Sequence, residues 1–360
     1  MLSLISFLVV LSILVLVHEL GHFIAAKRCG VRVEKFSFGF GPKLFSVKRG
    51  DTEYLVSLVP LGGYVKMAGD EPGEAITHQK WEFMSKKVSE RFAIIFAGPL
   101  LNYFLAFLIF SVIFMFGNPT LTTEVGGLLK GYPAEGSLVV GDRITAVNGR
   151  PVKYWEDMTE IIHRQVDGVL TLSVQRGDSI SSVEIRPVVR KTKDIFGKET
   201  KIALVGISPS QKIEKIRYGL FESFGKGWVK LMHLTAITYK SLFAIITGQL
   251  SFKESMTGPI GIFVITGKAA ELGLIYLLHL MGILSASLAI FNLLPLPVLD
   301  GGHIIFLALE KVRGKPLSAR SQEMIANVGV SLLILLTVFV FYNDIMNFRI
   351  AEKMGGWFKR

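Results

Sequence analysis

The chain has 360 residues, half of them hydrophobic, with 26 Phe, a mean hydropathy of +0.47 and a formal net charge of +11. That hydropathy excludes an ordinary soluble enzyme, and with several membrane segments in view the basic excess reads as Lys and Arg flanking spans, not as a nucleic-acid surface. Cys29 is the single cysteine, so there is neither an intrachain disulfide nor a CxxC metal site.

In chain order, four stretches reach the roughly 20 apolar residues that a spanning helix needs. They are about 2–26, 92–116, 273–294 (running on into a Pro-broken stretch near 300) and 327–346. The first has no basic leading region and no A-x-A site, so it is read as a span and not as a cleaved signal peptide. The connection after span 1 is rich in Lys and Arg, and the one between spans 3 and 4 carries Lys311, Arg313, Lys315 and Arg320. Both are therefore predicted to be cytoplasmic, with residues 118–272 and both termini on the opposite side. The basic tail, Lys353, Lys359 and Arg360, runs against that orientation.

Inside span 1, residues 18–22 read H-E-L-G-H. One helical turn separates His18 from His22, so both imidazoles can reach one metal ion, and Glu19 stands beside the first as a base. The plainer alternative is two histidines hydrogen-bonded within a helix bundle with Glu19 as their partner. An ionised carboxylate at membrane depth costs on the order of 2.5–3.5 kcal/mol, which favours a catalytic zinc with its open fourth position. The third ligand is expected from "NLLPLPVLDGGH" at 292–303. There Asp300 closes span 3 behind Pro295 and Pro297, while Gly301 and Gly302 permit unusual backbone geometry. Irregular backbone at membrane depth borders protein or a polar cavity. Read alone, Asp300 is an interfacial helix end in water; beside H-E-L-G-H it reads as a ligand.

These two motifs resemble the signatures of the site-2 protease family of intramembrane zinc metalloproteases. "FAGPLLNY" at 96–103, "VPLGGYVKMAGDEP" at 59–72 and "GPIGI" at 258–262 extend the resemblance over nearly the whole chain. It is greatest to the bacterial branch typified by the regulator of sigma-E protease. The resemblance implies His18, His22 and Asp300 as ligands of one Zn²⁺, with Glu19 as general base. It implies Asn292 as a substrate-backbone or oxyanion contact, where a helix–helix polar contact is the other reading; Asn102 in span 2 is a weaker site candidate, with packing against its neighbours as the other reading. The segment 54–70, with Gly62, Gly63 and Tyr64 at an expected Gly-Gly hairpin turn, would be a membrane-associated β-element whose edge holds extended substrate.

Residues 124–208 carry short β-type runs and one helical stretch, "YWEDMTEIIHRQ". "YPAEGSLVVGDRITAVNGRPV" resembles a bacterial PDZ domain in circularly permuted order, with Val205, Gly206 and Ile207 in the peptide-receiving loop. Size filter and peptide receptor are both open for it. The segment 224–250 mixes lysines with an apolar face and is expected to lie at the interface.

The expected fold class is thus a polytopic α-helical membrane protein with four spans, a membrane-associated β-hairpin region and one inserted PDZ (α+β) domain. Its parts are a first catalytic half (1–117), an extracytoplasmic PDZ (118–210), an interfacial helix and linker (211–272), a second catalytic half (273–348) and a tail (349–360). The resemblance implies a bacterial inner-membrane protease with its active site towards the cytoplasm. Its substrates would be single-span proteins, such as an anti-sigma factor after site-1 cleavage, or remnant signal peptides. No nucleic-acid partner is expected. A PDZ-bearing scaffold with non-catalytic zinc, and a transporter, are the rival readings.

Overall fold

The computed structural model describes residues 1–70, 79–193, 199–251, 253 and 256–347; the expected tail at 349–360 lies outside them. Contacts divide the chain into two compact units, Met1–Val112 with Ser223–Thr238 and Phe252–Arg360, and Ile113–Glu222 with Tyr239–Ser251.

The first unit is built on long apolar helices. These are α1 (Leu2–Arg28), α2 (Val88–Phe116), α4 (Leu220–Ile246, shared with the second unit), α6 (Leu274–Asn292) and α8 (Ala319–Asn347). Two shorter helices, α5 (Pro259–Leu272) and α7 (Asp300–Arg313), complete it. Five of the described helices are long and apolar enough to cross a membrane, one more than the sequence count of four. The addition is α4, whose three lysines made it read as interfacial; it also has the length and hydropathy of a span. It packs on α2, with Tyr103 and Thr235 hydroxyls 2.7 Å apart and Phe107 stacked on Phe224. Exposed Val328, Leu332, Leu335 and Val338 on α8, and Leu4, Ile5 and Val9 on α1, form an apolar surface suited to lipid. The chain is a multi-pass membrane protein.

The one acid near the end of α8 is accounted for locally. Asp344 is buried, and its carboxylate accepts the backbone N–H groups of Gly258 (3.0 Å) and Gly261 (2.9 Å) at the start of α5. A carboxylate there satisfies two orphan donors and complements the helix dipole.

Between α1 and α2 lie β1 (Val33–Arg49) and β2 (Thr52–Met67). The register reveals four segments. Residues 43–49 pair with 52–57, 53–56 pair also with 35–38, and 35–38 pair in turn with 63–67. The chain reverses at Gly50–Asp51, where Gly50 has φ 62°. The hairpin turn expected at Gly62–Gly63 is therefore absent. Those glycines sit inside β2, where it crosses beneath β1; a Cβ on Gly62 would enter the Phe40 ring, and one on Gly63 would press on the Ser37 carbonyl. Backbone approach, not reversal, is what they permit. Segment 63–67 is left as the sheet's outer edge.

The second unit is an α+β module. Strands β5 (Arg143–Val147), β6 (Arg150–Pro151), β7 (Leu170–Arg176) and β8 (Ser179–Ile185) form one antiparallel sheet in the order β6-β5-β7-β8. The Asn148-Gly149 turn joins β5 to β6 with both residues at positive φ, as its sequence predicts. Three two-stranded pairs surround it: β9 (Val188–Lys193) with β10 (Glu199–Leu204), β4 (Val125–Leu128) with β11 (Ile207–Pro209), and β3 (Asn118–Leu121) with β12 (Ile213–Ile216). Helix α3 (Trp155–Arg164), the predicted helical stretch, buries Met158 and Ile162 in a core with Ile144, Leu170, Leu172 and Val205.

A buried carboxylate pins this module. The Asp142 side chain is fully buried and accepts Arg176 Nε (2.7 Å), Arg176 Nη2 (2.8 Å) and the Val139 N–H (2.9 Å). The Arg176 hydrogen bonds hold its carboxyl below the usual carboxylate range. A depressed folded-state value means the contribution is present above the unfolded value of about 4 and is lost as pH falls through the folded one. Asp142→Asn is expected to cost the module about 1–2 kcal/mol, since charge-assisted bonds exceed neutral ones while solvent at the half-exposed Arg176 screens part of the gain. Thermal unfolding of the full chain from neutral to acidic pH checks this. The gap between wild type and variant should narrow on acidification, and a pH-independent gap would contradict it.

Candidate active site

The helical repeat of α1 places His18 and His22 one turn apart on one face. The third group arrives from α7. Asp300 is the first residue of that helix, not the last of the preceding one: α6 stops at Asn292, and residues 293–299 carry the prolines across to a new N-terminus. Gly301 and Gly302 are helical, so unusual backbone angles are not their contribution. A Cβ on either would collide with the carbonyls of Leu293, Leu294 or Leu296, so the pair allows α7 to start directly against the proline segment.

Three side chains converge there. His18 Nε2 lies 3.1 Å from His22 Nε2 and 3.2 Å from Asp300 Oδ2, and His22 Nε2 lies 3.6 Å from Asp300 Oδ1. His18, His22 and Asp300 form the one group of three metal-ligating side chains found within mutual reach among the described residues. Asp300 Oδ2 is buried and accepts no hydrogen bond, as befits an atom facing a cation.

The surroundings fix the imidazoles. His22 Nδ1 donates to the Ile94 carbonyl of α2 at 2.9 Å, leaving Nε2 with a free lone pair. Pro99, inside α2, lacks the N–H that would bond the adjacent Ile95 carbonyl. Gly98 lies against both rings: a Cβ there would fall on His22 Nε2 and Cε1 and touch His18 Cε1. Gly21, facing the Ala97 carbonyl, lets α1 approach α2 this closely. The buried side chain of Asn102 stands 3.5 Å from His18 Nδ1. Arg91, buried at the start of α2, ion-pairs with Glu310 of α7 and so ties the helix bearing Asp300 to the helix bearing Gly98.

A cavity of about 330 Å³ opens on this cluster, lined by His18, Glu19, His22 and Asp300 together with Val65 and Met67 of the β2 edge. Glu19 takes a backbone hydrogen bond from Val65, so the outer strand touches the carboxylate itself. Gly63 lies near Glu19, with the position of an added Cβ 3.5 Å from Glu19 Cγ, and Tyr64 stacks on Phe40. Asn292 ends α6 half-buried and does not line the cavity. Asp70 and His303 do, and sequence reading passed over both. His303 was findable, being three residues after Asp300 and so on the same helical face; Asp70 had no periodic signal.

In the second unit, Val205, Gly206 and Ile207 border a separate groove of about 250 Å³ facing Trp155, Ile162 and His163 of α3. Gly206 holds φ 86°, and Tyr132 occupies the place of its missing Cβ.

Converging histidines and a carboxylate on apolar helices, beside a second carboxylate and a strand edge, define a membrane-embedded metallohydrolase. The chain belongs to peptidase family M50, whose family profile matches residues 6–336. It is 32% identical over 424 aligned residues to the zinc metalloprotease RasP of Geobacillus kaustophilus, covering 96% of this chain and 98% of that one. To the regulator of sigma E protease of Haemophilus influenzae it is 30% identical over 437 residues, again covering 96% and 98%. This chain is accordingly a zinc metalloprotease, which removes the scaffold and transporter readings.

Proposed function

We propose that the chain is an intramembrane endopeptidase in which His18, His22 and Asp300 hold the zinc and Glu19 is the general base. The observation that carries this is the convergence of two imidazole nitrogens and one carboxylate at ligand-to-ligand spacing. Bonds of about 2.0–2.1 Å at tetrahedral angles put ligand atoms about 3.3 Å apart. Here the two imidazole nitrogens are 3.1 Å apart, and the Asp300 carboxylate approaches His18 Nε2 to 3.2 Å with Oδ2 and His22 Nε2 to 3.6 Å with Oδ1. Two neutral imidazoles and a carboxylate suit zinc, and three ligands leave its fourth position open.

When bound, zinc acts as a Lewis acid that activates a water and polarises a peptide carbonyl. Glu19 takes the water's proton on a carboxylate oxygen and later delivers it to the amide nitrogen that leaves. The Val65 N–H holds that carboxylate in place. A helix hides its peptide bonds, so substrate must be extended at the cavity, and the 63–67 edge beside Glu19 is the surface to pair with it. The Ser12 hydroxyl, well inside α1, donates to the Pro60 carbonyl at 2.7 Å, which supports membrane insertion of this sheet.

Single-span membrane proteins are the substrates this arrangement fits, of the anti-sigma or remnant-signal-peptide kind; the name of the Haemophilus relative points the same way. The module at 118–210 is read as an extracytoplasmic PDZ domain and the active site as lying towards the cytoplasmic face of a bacterial inner membrane. The basic connection after α1 and the groove at 205–207 support that reading. His18→Ala and Asp300→Ala test the site, with bound zinc and cleavage of a single-span substrate measured on purified protein in detergent. Both variants should lose zinc and cleavage together. Stoichiometric zinc in both would mean that the metal sits elsewhere.

A further inference from the structure

The triad leaves His18 Nδ1 to be explained. With Nε2 turned to His22 and Asp300 as a ligand, the neutral ring carries its proton on Nδ1, and a buried N–H needs an acceptor. For His22 the Ile94 carbonyl supplies one. The polar group beside His18 Nδ1 is the Asn102 carboxamide, at 3.5 Å, with the Nδ2 end facing the ring. Two donors face each other there. Meanwhile Asn102 Oδ1 is buried and has no partner. A half-turn of the carboxamide exchanges Oδ1 for Nδ2, replaces the facing donors by a donor–acceptor pair and gives the orphaned Oδ1 a partner.

We propose that Asn102 is a positioning residue of the zinc site, its Oδ1 accepting the His18 Nδ1–H and thereby fixing the tautomer and orientation of that ligand. This rests on the assignment of His18 as a ligand. Asn102 is well placed for the task. It is fully buried on α2, four residues after Gly98, which abuts both rings. Its own carbonyl accepts the Ser285 hydroxyl of α6 at 2.8 Å, which holds its backbone. A neutral acceptor also suits a cluster that already holds Glu19 and Asp300, since a further carboxylate would add a third negative charge at membrane depth.

The test compares Asn102→Leu, Asn102→Asp and Ser285→Ala in the full-length protein. Zinc affinity is read by chelator competition, ligand geometry by the visible spectrum of the cobalt-substituted protein, and stability by thermal unfolding without metal. Asn102→Leu should weaken zinc about 10–100-fold and alter the cobalt bands, as loss of an outer hydrogen bond to a ligand does. Asn102→Asp, which keeps an acceptor, should recover most of that affinity. Ser285→Ala should change stability alone. If leucine prevents folding, Asn102→Ala supplies the same comparison.

Wild-type zinc affinity and cobalt spectrum in Asn102→Leu, with only stability reduced, would make Asn102 a helix-packing contact and overturn the proposal. His18→Ala in parallel keeps the two ideas separate. If it loses zinc while Asn102→Leu does not, only the positioning role fails; if it keeps zinc, the site assignment itself fails.

Discussion

Glu19→Gln is expected to keep its zinc and to cleave a single-span substrate about 10²–10⁴-fold more slowly, the range that a positioned acid–base group contributes. In barrier terms that is about 3–5 kcal/mol. The structure separates the two properties. Glu19 lies outside the three converging side chains but lines the same cavity. Glutamine has nearly the same size and still offers an oxygen to the Val65 N–H, so the strand edge should stay in place. It cannot carry the proton. Bound zinc measured beside cleavage on the same preparation decides the matter. Zinc lost together with cleavage would make Glu19 a ligand; retained cleavage would move the base to Asp70 or His303, the other titratable groups lining the cavity.

Gly98→Ala should do the reverse, losing the metal while the fold survives. The added methyl would land on the His22 ring and touch the His18 ring. A free side chain could swing away. His22 is held by Ile94, and both rings are committed to one point in space. They can accommodate the methyl only by leaving that point, so zinc affinity is expected to fall at least about 100-fold, beyond the loss of a single outer contact. Gly21 provides the contrast. A Cβ there meets the Ala97 backbone, which cannot rotate aside, so Gly21→Ala should separate α1 from α2 and lower stability itself. Chelator competition and thermal unfolding on the two variants distinguish the outcomes. Wild-type zinc affinity in Gly98→Ala would show that the rings yield.

Much of this was legible beforehand because its signals are local. H-E-L-G-H fixes two imidazoles on one helical face by periodicity alone, and apolar length marks the helices of Leu2–Arg28, Val88–Phe116, Leu274–Asn292 and Ala319–Asn347. The Asn148-Gly149 turn and the helix at Trp155–Arg164 likewise follow from residues adjacent in sequence.

Other features were decided by what meets what in space. The Gly62–Gly63 pair looked like a turn because glycine turns are common; its purpose appears only where Phe40 and Ser37 press against it. Gly301 and Gly302 looked like sites of unusual backbone geometry and instead make room for the Leu293, Leu294 and Leu296 carbonyls. Asn102 stood between a site role and packing in the sequence; the His18 Nδ1 beside it lies 84 positions away along the chain. Asp300 could be nominated from its motif, but that it begins α7, with its carboxylate 3.2 Å from His18 and 3.6 Å from His22 of α1, was for the tertiary structure to settle. The physical reason is common to all of these. Periodicity and capping act over a few residues and are written in the order of the chain, whereas a ligand edge or a steric gap is a distance between segments that no local pattern encodes.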